Sequence, residues 1–316
     1  MAHIFYINDL ERLNIKKDST LMMAMTLAPH EECYIMFEND LYISNDKNHS
    51  YKLHSFKGKF KEDGYYLENF ELTESIDYNF SEHDTIYMRI DPPFDSRYQR
   101  YLWMLDFLQR QLNVEVKNNP LGIMKYNEKL TAFLDGEHSV ESYVGSSLDS
   151  FKKFVSEQKN KSVSNLILKP LDLYSGIGVQ KINIEAEDLE SLFENKVKEF
   201  HGAIVCQPFV EKVSEGEIRA IFYQNKEIGS IIKRPKEGEF LANIAQGASF
   251  EKIELDHAIH EKCLKICEMM AMDGVDLLAF DILDNKINEI NITCPGLLVE
   301  VSHACKKNLC YDIFNL

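Results

Sequence analysis

Residues 277–291 read LLAFDILDNKINEIN, two apolar runs around an Asp-Asn-Lys turn. That pattern is a β-hairpin signature. Each run carries acidic or amide side chains among residues that otherwise suit a buried sheet. Glu289 and Asn291 are two apart, so on a strand both point to one face. A three-residue loop at Asp284, Asn285 and Lys286 pairs Asp281 with Glu289 and brings three oxygen-bearing side chains together. A two-residue Asp284-Asn285 turn instead sends Asp281 to the opposite face. The converged arrangement offers hard oxygen ligands with room for water and phosphate, which is what Mg²⁺ prefers, and so points to nucleotide phosphoryl chemistry. The alternative is an amphipathic hairpin with a solvated acidic face.

The rest of the chain bounds the setting. Its 316 residues are enough for two or three compact units. A formal net charge of −16 argues against nucleic acid as the main partner, because an acidic surface repels a phosphate backbone. No apolar run approaches membrane-spanning length, and the start at Met1 lacks the basic and apolar regions of a signal peptide. Seven cysteines stand at 33, 206, 263, 267, 294, 305 and 310, without a CxxC or a paired metal-ligand spacing. Such an odd, unpatterned set fits a reducing compartment, so a cytoplasmic location is expected. Cys263 and Cys267 share a helix face and read as core thiols before they read as metal ligands.

Strands and helices alternate, which places the chain in the α/β (α+β) class. Strands are expected at 4–7, 84–90, 114–116, 203–206, 218–223 and 227–232. Helices are expected at 98–112, 185–200 and 258–272, with another opening at Asn127-Glu128-Lys129-Leu130. The turn Asn118-Asn119-Pro120 marks a first domain boundary, and the polar stretch 234–239 reads as a mobile loop. Lys169 ends an apolar strand, a place that suits a phosphate contact better than a core. The following Asp172-Leu173-Tyr174-Ser175-Gly176-Ile177-Gly178 is a small loop whose glycines let backbone N–H groups approach phosphate oxygens, or an ordinary turn. Cys206-Gln207-Pro208-Phe209-Val210 offers a dry slot with free backbone groups for an adenine ring, or a plain strand-to-loop junction.

In order along the chain, Lys129, Lys169-Pro170, the glycine loop, Gln207 to Val210, Arg219, Asp281 and Glu289-Ile290-Asn291 resemble the layout of an ATP-grasp ligase. Asn14-Ile15-Lys16-Lys17-Asp18-Ser19, Met88-Arg89 with Asp91-Pro92-Pro93-Phe94-Asp95, Asn127 to Leu130, Leu168 to Asp172 and Glu289 to Thr293 sharpen the resemblance to the prokaryotic glutathione synthetase family. The resemblance implies an ATP-grasp fold with an N-terminal α/β pre-ATP-grasp domain at 1–120, a central lid at 121–202 and a C-terminal part at 203–316. It implies ATP and two Mg²⁺ ions, with Mn²⁺ as a substitute. The activity it implies is glutathione synthesis, in which the carboxylate of γ-glutamylcysteine is phosphorylated to an acyl phosphate and glycine's amine then forms the amide.

By the same resemblance, Lys129, Lys169, Gly176 and Gly178 meet the nucleotide phosphates. Gln207, Phe209 and Val210 line the adenine, and Glu217 sits near the ribose. Asp281, Glu289 and Asn291 hold magnesium, while Arg219 and Lys169 act in catalysis. Asp18, Ser19, Arg89, Arg219, Arg234 and Asn243 face the peptide substrate. The partners are small molecules, with neither nucleic acid nor membrane, and a homo-oligomer is compatible with the family.

Three departures from the family pattern stand out. Leu173-Tyr174-Ser175 interrupts the glycine loop. Leu241-Ala242 replaces an arginine and glycine before Asn243-Ile244-Ala245, with Arg234 or Lys236 as the nearest substitutes. Thr293-Cys294-Pro295-Gly296-Leu297-Leu298 is more apolar than the family's Ser-Pro-Thr-like element. These keep two further readings open: a ligase of the same fold with a different amino acid, amine or peptide substrate, and a nucleotide-binding pseudoenzyme.

Overall fold

The computed structural model describes residues 1–45 and 50–316. The first part runs β1 (Ala2–Ile7), α1 (Ser19–Leu27), β2 (Glu32–Phe37), β3 (Tyr51–Phe60), β4 (Leu67–Tyr78), β5 (Thr85–Met88), α2 (Ser96–Leu112), β6 (Glu115–Lys117) and α3 (Pro120–Lys125). Its sheet has the order β4-β3-β2-β1-β5-β6. β1 pairs in parallel with β2 and β5, and β5 with β6, whereas β3 and β4 run antiparallel. All six residues of β1 are buried, as a central parallel strand covered on both faces requires. α2 starts where the Asp95 carboxylate accepts the Tyr98 N–H at 2.9 Å, and it buries Tyr98, Leu102, Leu105 and Leu108 at helical spacing.

A second, four-stranded antiparallel sheet follows. Its elements are β7 (Tyr143–Gly145), α4 (Leu148–Asn160), β8 (Asn165–Pro170), β9 (Gln180–Asn183), α5 (Leu189–Glu199) and β10 (Ile204–Pro208). The order is β7-β10-β8-β9, so β10 lies inside this sheet although it falls after residue 202 in sequence. The two helices cover one face, with Phe151 of α4 stacked on Phe193 of α5 at 4.1 Å between ring centroids. The helix expected to open at Asn127 is a tight 3₁₀ segment, Thr131–His138. The Asn127 side chain turns back to cap Lys129 and Leu130 rather than start an α-helix.

The third sheet comprises β11 (Glu217–Tyr223), β12 (Lys226–Arg234), β13 (Ser249–Lys252), then after α6 (His257–Ala271) β14 (Leu277–Leu283) and β15 (Lys286–Asn291). Its order is β13-β12-β11-β14-β15, antiparallel throughout. Strand alternation sends Phe222, Leu278 and Phe280 toward α6, where Cys263 and Cys267 are buried core thiols. The same alternation sends Ile221, Ala279 and Ile231 to the other face, under α7 (Leu298–Cys305) and α8 (Cys310–Phe314). That second face shares one core with Phe5, Leu21 and Leu27 of the first sheet and α1, so the N- and C-terminal sheets are packed together. Asn118 ties them further. Its amide donates to Leu277 O at 2.9 Å and Ile292 O at 3.2 Å and accepts the Asp276 and Leu277 N–H groups at 3.0 Å.

Candidate functional site

A cavity of about 600 Å³ opens between the second and third sheets, large enough for a nucleotide. Lys169, Gly176, Gln207, Phe209, Val210, Glu217, Arg219, Asn243, Asp281, Glu289 and Asn291 all line it. Lys129 lies just behind, its ammonium 3.1 Å from Glu289 Oε1 and donating to Leu173 O at 2.7 Å.

The hairpin resolves its register by combining features of both sequence alternatives. The turn has two residues, Asp284 and Asn285, both left-handed at φ 49° and 56°, the type I′ geometry that suits twisted strands. Asp281 nevertheless pairs with Glu289, because a β-bulge follows it: Ile282 pairs with Ile287, leaving Asn288 as the extra residue. The bulge turns Asn288 into the cleft beside Glu289. Asn288 Oδ1 accepts from Gln207 Nε2 at 2.9 Å and from Lys169 Nζ at 3.2 Å, linking the hairpin to β8 and β10. Sequence reasoning missed Asn288, and its only trace there is the conflict between a short turn and a converged acidic face.

Arg219, Asp281 and Glu289 form one row across β11, β14 and β15. The Arg219 guanidinium grips Asp281 through two bonds of 3.0 and 2.8 Å. Lys233 donates to Asp281 at 3.0 Å and to Glu217 at 2.9 Å, and Asn291 Nδ2 donates to Asp281 at 3.0 Å. Burial alone would raise the Asp281 pKa, but the charges of Arg219 and Lys233 outweigh it and hold the carboxyl well below the usual range. Glu128 stands beside this row as a partly buried carboxylate. It accepts from Ile292 N, Thr293 N and Thr293 Oγ1 at 2.8–3.0 Å, and burial together with the Glu289 charge pushes its pKa up.

Asp281, Glu289 and Asn291 fit a hard divalent cation by donor chemistry. Among the described residues no three His, Cys, Asp or Glu side chains are gathered around one point. Each carboxylate of the set is instead held by a protein cation, Asp281 by Arg219 and Lys233, Glu289 by Lys129.

Lys169 is 6% exposed, and burial lowers its pKa to about 8 against the opposing pull of Glu289. A bound polyphosphate would restore the charged form. We therefore expect nucleotide binding at pH 8 to take up about half a proton, fading toward pH 6.5. Titration calorimetry in buffers of different ionisation enthalpy checks this, and no buffer dependence at pH 8 would contradict it.

The glycine loop bends through left-handed residues, with Ser175, Gly176 and Gly178 at φ 52°, 78° and 75°. A Cβ at Gly176 would stand 3.0 Å from Leu241 Cδ1, so Leu241 packs directly on the loop. Asn243 Nδ2 donates to Ser175 O at 3.2 Å, and the Phe240 ring meets Phe209 edge-on at 6.2 Å. Tyr174 lines the cleft rather than pointing away from it.

Asp18, Ser19, Arg89, Arg234 and Gly178 are not lining residues of the cavity among those described. Asp18 caps α1 through the Leu21 N–H at 2.8 Å, and Ser19 Oγ accepts the Leu298 N–H at 3.1 Å. Arg89 is buried on Thr20 and Pro295 O. Arg234 pairs with Glu251 at 2.6 Å on the exposed surface.

Comparison with known proteins places this geometry. The sequence model described as "Prokaryotic glutathione synthetase, ATP-grasp domain" matches residues 128–306, and that of the "Prokaryotic glutathione synthetase, N-terminal domain" matches 1–123. Glutathione synthetase of Parasynechococcus marenigrum (strain WH8102) is 27% identical over 311 residues, covering 98% of this chain and 96% of the relative. That of Prochlorococcus marinus (strain MIT 9313) is 30% identical over 216 residues, 68% of each chain. Among solved structures, a D-cycloserine synthetase superposes with a TM-score of 0.67 at 12% identity over 99% of both chains. D-alanyl-alanine synthetase A from Vibrio cholerae gives 0.59 at 12%, covering 99% of this chain and 96% of that one. These structures share the ATP-grasp fold. No helix of the described residues is long and apolar enough to cross a membrane. The chain belongs to the prokaryotic glutathione synthetase family, the ATP-grasp ligases that join a carboxylate to an amine at the expense of ATP.

Proposed function

We propose that this protein makes glutathione from γ-glutamylcysteine and glycine in the cytoplasm. The observation that carries the reading is the convergence of Lys169, Arg219, Asp281, Glu289 and Asn291 on one cavity in a chain matched along most of its length by the family. Residues 1–120, 121–202 and 203–316 are its three working parts, with β10 completing the lid sheet. Phe209 and Val210 hold the adenine, Gln207 bonds its edge and Glu217 receives the ribose. Lys129 and Lys169 meet the phosphates over the loop of Gly176 and Gly178. Asp281, Glu289 and Asn291 would hold two Mg²⁺ ions, or Mn²⁺ in their place, which neutralise phosphate charge when bound.

The donor carboxylate attacks the γ-phosphorus of ATP, ADP leaves, and an acyl phosphate results. Glycine's amine then attacks the acyl carbon, phosphate departs, and the amine loses a proton as the amide forms. The chain supplies no nucleophile. Its contribution is positioning and charge stabilisation, with Arg219 facing the developing negative charge.

An acceptor other than glycine is the second reading. Leu241 favours it, because an apolar side chain packs on the glycine loop where the family pattern has a carboxylate-binding arginine. The test is ADP release with ATP, Mg²⁺ and γ-glutamylcysteine, with and without glycine, and product identification by mass. Glycine-dependent turnover to glutathione is the expected result. ATP binding without turnover would overturn it and direct the same assay to other acceptors.

A further inference from the structure

Three neighbouring parallel strands end at one edge of the first sheet, and each is followed by a polar residue: Asn8 after β1, Glu38 after β2 and Asp91 shortly after β5. Open α/β sheets place their ligands at this carboxyl edge, and Asp91 and Pro92 line the cavity there. Pro92 and Pro93 carry no N–H, so the backbone of the wall from Asp91 to Phe94 has two donors only, one at each end. The Phe94 N–H donates to Asp172 O at 2.9 Å, where the glycine loop begins. The Asp91 N–H donates to Asn8 Oδ1 at 2.8 Å.

Asn8 and Glu38 are both buried, and Asn8 Nδ2 donates to Glu38 Oε2 at 2.8 Å. The other oxygen of Glu38 accepts from the Tyr101 hydroxyl at 2.9 Å and from the Arg97 guanidinium, one turn apart on α2. Burial alone would raise the Glu38 pKa, but the bonds from Arg97 and Tyr101 outweigh it and keep the carboxyl below its ordinary value. Glu38 is therefore ionised and can only accept hydrogen bonds. An amide facing such a group must present its NH₂, which leaves Asn8 its carbonyl oxygen for Asp91. Glu38 does not line the cavity, yet its charge dictates which way Asn8 points. We propose that Glu38 is a positioning residue of the ligase reaction, which orients Asn8 and thereby fixes the Asp91–Pro92 wall of the cleft.

The test exchanges donor and acceptor at the Asn8–Glu38 contact in the full-length enzyme. Glu38→Gln sets two NH₂ groups against each other, or turns one toward Arg97. Asn8→Asp sets two carboxylates face to face. The double variant restores one donor and one acceptor, and the new carboxylate still accepts the Asp91 N–H. Each single variant should speed amide exchange at Asp91, read by NMR, at least about 10-fold, the scale of one buried hydrogen bond. Each should also lower kcat/KM for ATP-dependent turnover of γ-glutamylcysteine and glycine about 10-fold. ATP affinity by calorimetry should stay within about 2-fold, because the proposed adenine slot lies on β10, in a different sheet. The double variant should return exchange and kcat/KM to within about 3-fold of wild type. Unchanged Asp91 exchange in Glu38→Gln overturns the proposal, and so do losses that add in the double variant. A matching loss of ATP affinity overturns it too, by showing a general structural role. The turnover arm rests on the substrates proposed above. If wild type turns over neither, that reading fails by itself, and Asp91 exchange in the three variants still upholds or overturns the positioning role.

Discussion

Replacing Asp281 by Asn should reduce ATP-dependent turnover on the order of 10³-fold and lower folding stability by about 3 kcal/mol. Both effects come from one carboxylate. Asp281 is the common partner of Arg219, Lys233 and Asn291, all of them at most partly exposed. Neutralising it leaves the buried Lys233 and the partly buried Arg219 side by side without their shared carboxylate, and breaking a buried ion pair costs far more than such a pair contributes. It also removes a hard oxygen charge from the proposed cation-binding set. Phosphate release and urea unfolding measure the two effects.

Acid adds a check on the same variant. The Asp281 pKa is depressed in the folded state, so its contribution is present above the unfolded value near 4 and is lost as pH falls. Wild type should therefore lose stability more steeply than Asp281→Asn below about pH 4. Parallel acid-unfolding curves would show that the cluster is not held by this charge.

Lys169→Met should separate activity from stability. We expect turnover to fall at least about 100-fold, because the ammonium proposed to meet the nucleotide phosphates disappears from a desolvated site. Stability should hold or rise by about 1–2 kcal/mol, since an apolar chain of similar length replaces a charge that burial disfavours. Glu289 is not orphaned by the change, because Lys129 remains 3.1 Å away. The sign follows from linkage. A lysine whose pKa is lowered on folding binds fewer protons in the native state, so wild type should gain stability relative to the variant as pH rises from 8 toward 10.5. A large loss of stability in Lys169→Met at neutral pH would mean that its bond to Asn288 outweighs desolvation. Thermal unfolding at pH 7 and 9.5 decides between these.

Much of the cavity lining was legible in the sequence, because it depends on local periodicity. The spacing of Glu289 and Asn291 places both on one strand face wherever that strand lies. An apolar run ending in Lys169 presents a lysine at a strand end, and the order of such segments along the chain carries the family. The β3–β4 hairpin gave no comparable signal: many of its outward residues are exposed and charged, and they do not alternate cleanly with a core face.

What only the tertiary structure decided are pairings between residues far apart in sequence. The Asp281 register depended on a bulge that a turn-length argument excludes, because the type I′ turn and the strand pairing are satisfied together only if Asn288 is left over. The engagement of Arg219 with Asp281, the surface pairing of Arg234 and the packing of Leu241 on Gly176 followed from sheet order and loop course. Asn8, Glu38 and Asp91 come together because β1, β2 and β5 end at the same edge of a parallel sheet. Sequence by itself determined which side chains each strand and loop could present. The folded chain determined which charges they would meet, since long-range contacts are set by how whole sheets pack and not by the spacing within any one of them.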